Sequence, residues 1–147
     1  METSGEAMVV GLGNLLCSDD GLGVHAIEYL GRDGRLPPEA KLLDGGTQGL
    51  DLIPFLSGYR RLLVIDAVDA GETPGALMRF EQEALGGLPG RPTVHQLGFA
   101  DLMIAMKLLG EAPEEVVLLG VQPLSTDWGT ELTPPVKNAL PSVADAV

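Results

Sequence analysis

Apolar residues in this chain come in short runs divided by polar, glycine- and proline-rich stretches. Met8–Leu12 reads as a first strand, and Leu22–Leu30 as a helix, because Leu22, Ala26, Ile27 and Leu30 recur on one helical face. Gly31–Pro38 reads as a polar loop. Lys41–Leu43 is a short second strand running into Asp44-Gly45-Gly46-Thr47, and Leu50–Leu56 a short helix. Arg61–Ile65 is a third strand whose continuous Leu-Leu-Val-Ile run predicts burial on both faces. Ala76–Phe80 is a fourth strand and Ala84–Pro92 a Gly- and Pro-rich loop. Gly98–Leu109 is an apolar helix and Val116–Val121 a fifth strand. Pro134–Val147 closes the chain as a helix, with Pro134 and Pro135 in its first turn.

Alternating strands and helices predict an α/β protein. The expected form is a three-layer α/β/α sandwich around a mixed, mostly parallel, twisted sheet of about five strands. One connection breaks the parallel rule. Only Ala67–Gly75 joins the third and fourth strands, too few residues for a crossover helix, so the fourth strand is expected to run antiparallel to the third. At 147 residues the chain is read as one domain, 1–147.

Composition narrows the partners. Nine Lys and Arg stand against 21 Asp and Glu, a net charge of −12, which argues against nucleic acid and anionic membranes. No apolar run approaches the ~20 residues of a membrane helix, and the acidic start lacks the basic segment of a signal peptide. With Cys17 as the single cysteine, no internal disulfide forms, and a cytoplasmic location is expected. Cys17 reads as a half-buried loop residue rather than a thiol nucleophile, since the chain offers only His25 and His95 as imidazole bases.

The chemistry starts in the loop Gly11-Leu12-Gly13-Asn14-Leu15-Leu16-Cys17-Ser18-Asp19-Asp20-Gly21-Leu22-Gly23. Its first glycines suggest a dinucleotide turn, but Leu16 stands where the third glycine belongs, and Asp19-Asp20 would repel a pyrophosphate. The loop suits a cation or an acid/base group. Asp19 is expected to cap the following helix and Asp20 to carry the chemistry. In open α/β sheets ligands bind beyond the carboxyl ends of the strands, at the point where strand order reverses. Asp20, Asp44 and Asp66 each follow a strand, so all three belong on one rim. If the first and third strands are neighbours across that point, Asp20 and Asp66 face one crevice. Asp66 ends a buried run, a costly place for a carboxylate without a partner. His95 precedes the apolar helix. Two Asp and one His supply oxygen and nitrogen donors with open positions, a set suited to Ni or Zn more than to Ca or Mg. His25, inside the first helix, carries no second signal.

These residues fall into ordered blocks. Gly11-x-Gly13-Asn14 runs to Asp19-Asp20-Gly21-x-Gly23; Asp44-Gly45-Gly46-Thr47 and Ile65-Asp66-Ala67 follow. His95-Gln96-Leu97-Gly98 leads to Asp101-Leu102, and Gly120-Val121-Gln122-Pro123 and Leu132-Thr133-Pro134 come last. In this order the chain resembles the hydrogenase maturation endopeptidases over nearly its whole length. The resemblance implies a phosphorylase/hydrolase-like α/β fold. It implies removal of a short C-terminal extension from the large-subunit precursor of NiFe hydrogenases once nickel has been inserted, the nickel serving as the recognition mark. Asp20, Asp66 and His95 match the family's metal-contacting positions, with Asp20 where relatives often carry glutamate. Asp44 matches a further acidic position. The family is grouped with aspartic-type endopeptidases, which makes Asp20, Asp66 and Asp44 the catalytic carboxylates. Catalysis by a carboxylate pair sharing a proton and polarisation of the scissile carbonyl by nickel are both open. The metal would come with the substrate, without an organic cofactor, and the partner would be the precursor, without nucleic acid or membrane insertion. Two rival readings are a non-catalytic nickel chaperone of the large subunit and a small nucleotide-binding domain.

Overall fold

A computed structural model describes residues 5–81 and 94–147 of the chain, without the side chains at 5, 6, 94, 95, 97 and 98. The strands are β1 (Gly5–Leu12), β2 (Ala40–Gly46), β3 (Tyr59–Ala67), β4 (Leu77–Glu81) and β5 (Glu115–Val121). The helices are α1 (Leu22–Asp33), α2 (Ile53–Leu56), α3 (Val94–Leu108), α4 (Pro134–Lys137) and α5 (Leu140–Ala146). The expected Ala84–Pro92 loop lies outside the described residues.

The strands form one sheet in the order β2-β1-β3-β5-β4. β1 pairs in parallel with both β2 and β3, and β3 with β5. The chain thus leaves β1 toward β2 and returns across it to β3, which puts the reversal of strand order between β1 and β3. β4 is antiparallel, as the short link requires, but it bonds to β5 at the sheet edge and not to β3.

Period-two alternation assigns each strand residue to a face. Met8, Val10, Leu12, Leu62, Val64, Val116 and Leu118 pack with Leu52 and Leu56, and with Phe99, Leu102 and Met106 of α3. Val9, Ile65, Ala67, Leu119 and Val121 pack on the other face, against Leu22, Ala26 and Leu30 of α1 and Val136, Leu140 and Val143 of α4 and α5. Two cores on opposite faces of one sheet make the three layers. The same alternation aims Asp66 at the α3 face, two residues beyond Val64.

Two expectations change. The closing helix is broken: Pro141 has no N–H, and its ring would meet the carbonyl of Lys137, so the chain turns at Asn138-Ala139 and restarts with Pro141 in the first turn of α5. α3 begins at Val94, four residues early. This places His95 and Gln96 on its first turn instead of in a preceding loop.

The acidic loop is held by close main-chain contacts. A Cβ on Gly23 would lie 2.2 Å from the Ile65 carbonyl oxygen and 2.3 Å from that of Leu12. α1 therefore starts directly on the ends of β1 and β3. Gly23→Ala should lower unfolding free energy by about 3 kcal/mol, because main chain must move to admit the methyl. Gly31 lies later in the same helix, and a Cβ there would meet nothing closer than 3.8 Å, so Gly31→Ala should stabilise by about 0.5–1 kcal/mol. Urea unfolding of the two variants checks the contrast.

Candidate functional site

The loop between β1 and α1 folds back on itself. Gly13 has φ +139°, and a Cβ there would sit 1.9 Å from the Asp20 carbonyl oxygen, so only glycine allows the two arms to meet. The Asn14 N–H donates to Asp20 Oδ2 at 3.1 Å, and the Asn14 side-chain oxygen accepts the Leu16 N–H at 2.9 Å. Residues Ser18–Gly21 then form a single 3-10 turn that feeds α1.

Asp19 does not cap this turn or α1. Its carboxylate is fully buried and reaches the segment after β5. There it accepts the N–H groups of Leu124 at 2.9 Å, Ser125 at 3.2 Å and Thr133 at 2.8 Å, and the Thr133 hydroxyl at 2.6 Å. Burial alone would raise its pKa. The Thr133 hydroxyl and the three backbone donors outweigh that and hold it below the ordinary carboxylate value. Asp19 is a cross-link between loops.

Asp20, by contrast, opens onto a polar cavity of about 420 Å³, lined also by Ala67, Asp69, Gln122, Leu124, Ser125 and Thr126. Gln122 shapes its far wall. Its Oε1 accepts the N–H groups of Ala70 at 2.8 Å and Glu72 at 3.1 Å, and its Nε2 donates to Asp69 Oδ1 at 3.0 Å.

Asp66 is fully buried at the end of β3. Its Oδ1 accepts the Ala67 N–H at 2.8 Å, and its Oδ2 accepts the Gln96 Nε2 donor at 3.1 Å. Gln96 also donates to the Ala67 carbonyl oxygen at 2.7 Å. Asp66 and Gln96 form the polar end of a second, apolar cavity of about 330 Å³ under α3, walled by Phe99, Met103, Val64 and Leu118. Asp66 and Asp20 thus line separate cavities: Ala67, next to Asp66 in sequence, lines the one that holds Asp20, together with a second carboxylate, Asp69.

His95 sits one residue before Gln96 on α3, and its side chain lies outside the described residues. Asp44 is exposed at the end of β2, in register with Gly11, and it lines neither cavity. β1 stands between β2 and β3, so Asp44 shares the rim at a distance of two strand spacings, ~9.6 Å. Cys17 is a half-buried free thiol. His25 is half-buried on α1, with Nε2 buried and unbonded. Among the described residues no three His, Cys, Asp or Glu side chains group to hold a metal. Gln96 and Gln122 carry much of the geometry, and sequence reasoning does not single them out as site residues. The usable signal for Gln122 is the one that marks Asp66, a polar side chain ending a buried strand.

The family model for hydrogenase maturation protease matches residues 24–147, beginning just past the acidic loop. The chain belongs to the hydrogenase maturation protease family. Hydrogenase expression/formation protein HupD of Bradyrhizobium diazoefficiens is 42% identical over 140 residues, 92% of this chain and 73% of that protein. Hydrogenase 2 maturation protease of Escherichia coli is 36% identical over 132 residues, 88% of this chain and 80% of that protein. The solved hydrogenase maturating endopeptidase HybD of E. coli superposes with a TM-score of 0.87 at 32% identity, covering 96% of this chain and 88% of HybD. For this maturation protease the reaction class is peptide-bond hydrolysis, and the sheet with its two helical layers is the HybD-like fold. Among the described residues no helix is long and apolar enough to cross a membrane.

Asp19 also sets an acid limit. Its folded pKa lies below the unfolded one, so its contribution to stability is present above the unfolded value near ~3.9 and is lost as pH falls through the folded value. Asp19→Asn should cost about 2 kcal/mol at pH 7, and the gap from the parent should narrow below about pH 4. Thermal melts of both proteins between pH 3 and 7 measure this.

Proposed function

We propose that this protein is the endopeptidase that removes the C-terminal extension from the nickel-loaded large-subunit precursor of a NiFe hydrogenase, acting in the cytoplasm. The observation that carries the reading is Asp66: a fully buried carboxylate at the strand-order reversal of a maturation protease, fixed by the helical turn that also bears His95.

In this reading Asp20, Asp66 and His95 offer two oxygen donors and one nitrogen donor to nickel that arrives on the substrate. Three protein donors leave a shell that closes only with groups from the precursor, so the metal is cargo and marks the correct substrate. No organic cofactor is invoked. Hydrolysis of the scissile amide needs a water that loses a proton as it attacks the carbonyl carbon, and a proton delivered to the leaving nitrogen as the C–N bond breaks. Asp20 and Asp66 would divide these two transfers, the aspartic-type division of labour. Gln96 donates a hydrogen bond to Asp66, which favours the anion and fixes its direction. Asp44, on the outer part of the rim, is proposed as a supporting carboxylate.

Nickel-loaded precursor should be shortened and nickel-free precursor left intact, read as product masses after incubation of each form. Equal cutting of both would remove nickel recognition from the reading, while binding of the loaded form without any cutting would identify a chaperone.

Asp66→Asn should reduce processing at least about 100-fold in a protein that still folds by circular dichroism. His95→Ala should weaken Ni or Zn binding by the substrate-free protein and impair processing, whereas His25→Ala should do neither. Calorimetric titration of the two histidine variants decides, and retention of metal by His95→Ala with its loss in His25→Ala would move the site.

A further inference from the structure

Large apolar side chains are exposed on the two loops that contribute Asp20 and Leu124 to the polar cavity. Leu16 is 56% exposed and its neighbour Leu15 41%; across from them Leu124 is 58% exposed and Trp128 82%. None of the four belongs to either core. Single exposed leucines need no explanation, but a grouped apolar surface with a tryptophan does.

The grouping is fixed by the backbone. The Gly129 N–H donates to the Leu16 carbonyl at 2.9 Å, and the Ser18 N–H donates to the Gly129 carbonyl at 2.9 Å. The Ser18 hydroxyl donates to the Asp127 carbonyl at 2.8 Å. Leu16 and Trp128 thus flank one short ladder, and the Asp19 carboxylate ties down Leu124 and Ser125 behind it. The ordering cost of these loops is met in folding, which favours tight association with a partner.

Charge and continuity say what covers this surface. Residues 11–24 and 121–135 contain no Lys or Arg, while Asp127 and Glu131 are exposed at the edge. A complementary face is therefore apolar at its centre and basic at its rim. Leu124 belongs both to the patch and to the cavity that holds Asp20. A cavity of about 420 Å³ admits a short chain segment and not a folded subunit. Whatever carries the scissile segment must rest on the surrounding rim.

We propose that Leu15, Leu16, Leu124 and Trp128 are the docking platform for the folded body of the precursor, a protein face that is apolar with flanking Arg or Lys. This rests on the protease reading above. Trp128 is its anchor, since exposed tryptophans that become buried dominate interface energetics.

The test is steady-state cleavage of purified nickel-loaded precursor by the full-length protein. Trp128→Ala should raise KM at least about 10-fold and leave the rate at saturating precursor unchanged. Asp127→Lys should raise KM less and weaken its dependence on salt. Leu108→Ala, 84% exposed at the far end of α3, should change nothing. An unchanged KM for Trp128→Ala alongside normal cutting by the parent overturns the platform and leaves the protease reading standing. A parent that neither binds nor cuts the precursor overturns the protease reading instead. Sedimentation adds one more outcome: a parent dimer that Trp128→Ala makes monomeric would show that a second copy of this chain occupies the patch, against the proposal.

Discussion

Main-chain contact at the start of α1 is the constraint on which the site depends. Gly11 and Gly23 let the strand end, the loop and the helix approach to distances that no side chain permits. That contact sets the first helix directly on the carboxyl ends of β1 and β3, where the strand order reverses. With any larger residue at Gly23, the loop bearing Asp20 would stand away from the end of β3 that bears Asp66. Backbone, and not side chain, fills the space between the elements that carry the two acids.

Asp19 and Asp20 are neighbours in sequence with different tasks. Asp19 is spent on four donors from a distant loop and is held ionised by them. Asp20 accepts the Asn14 N–H at 3.1 Å and opens onto the cavity. A carboxylate saturated with hydrogen bonds is a poor ligand or base, since its lone pairs are already committed. Asp19 holds the segment that walls the cavity onto which Asp20 opens. Asp66 and Gln96 repeat this division across the sheet, with the amide holding and the carboxylate held.

Much of this is legible in the sequence because it is local. Apolar runs mark all five strands, link length alone makes β4 antiparallel, and a polar residue at the end of Leu62-Leu63-Val64-Ile65 marks Asp66. The reversal between β1 and β3 follows once those two strands are neighbours. Contact between distant residues is not legible in the same way. Nothing near Asp19 announces Thr133 as its partner, so a helix cap is the natural local expectation. The pairing of β4 with β5 and not β3 is likewise a tertiary choice. The break at Asn138-Ala139 has a local cause in Pro141, masked by the apolar pattern running through it. Gly98 looks like a boundary and is an interior residue of α3, which is why the helix starts earlier than its apolar pattern suggests.

The bond from Thr133 to Asp19 spans 114 positions of the chain. Contacts of such separation form against a large loop-closure entropy, and proteins rich in them fold slowly. An emerging nascent chain holds β1, the acidic loop and α1 long before it holds Leu124, Ser125 or Thr133. Until those arrive, Asp19 lacks its donors and the wall beside Asp20 is missing. The wall of the Asp20 cavity is thus tied to residues far along the chain, and it forms only once the segment after β5 has been synthesised.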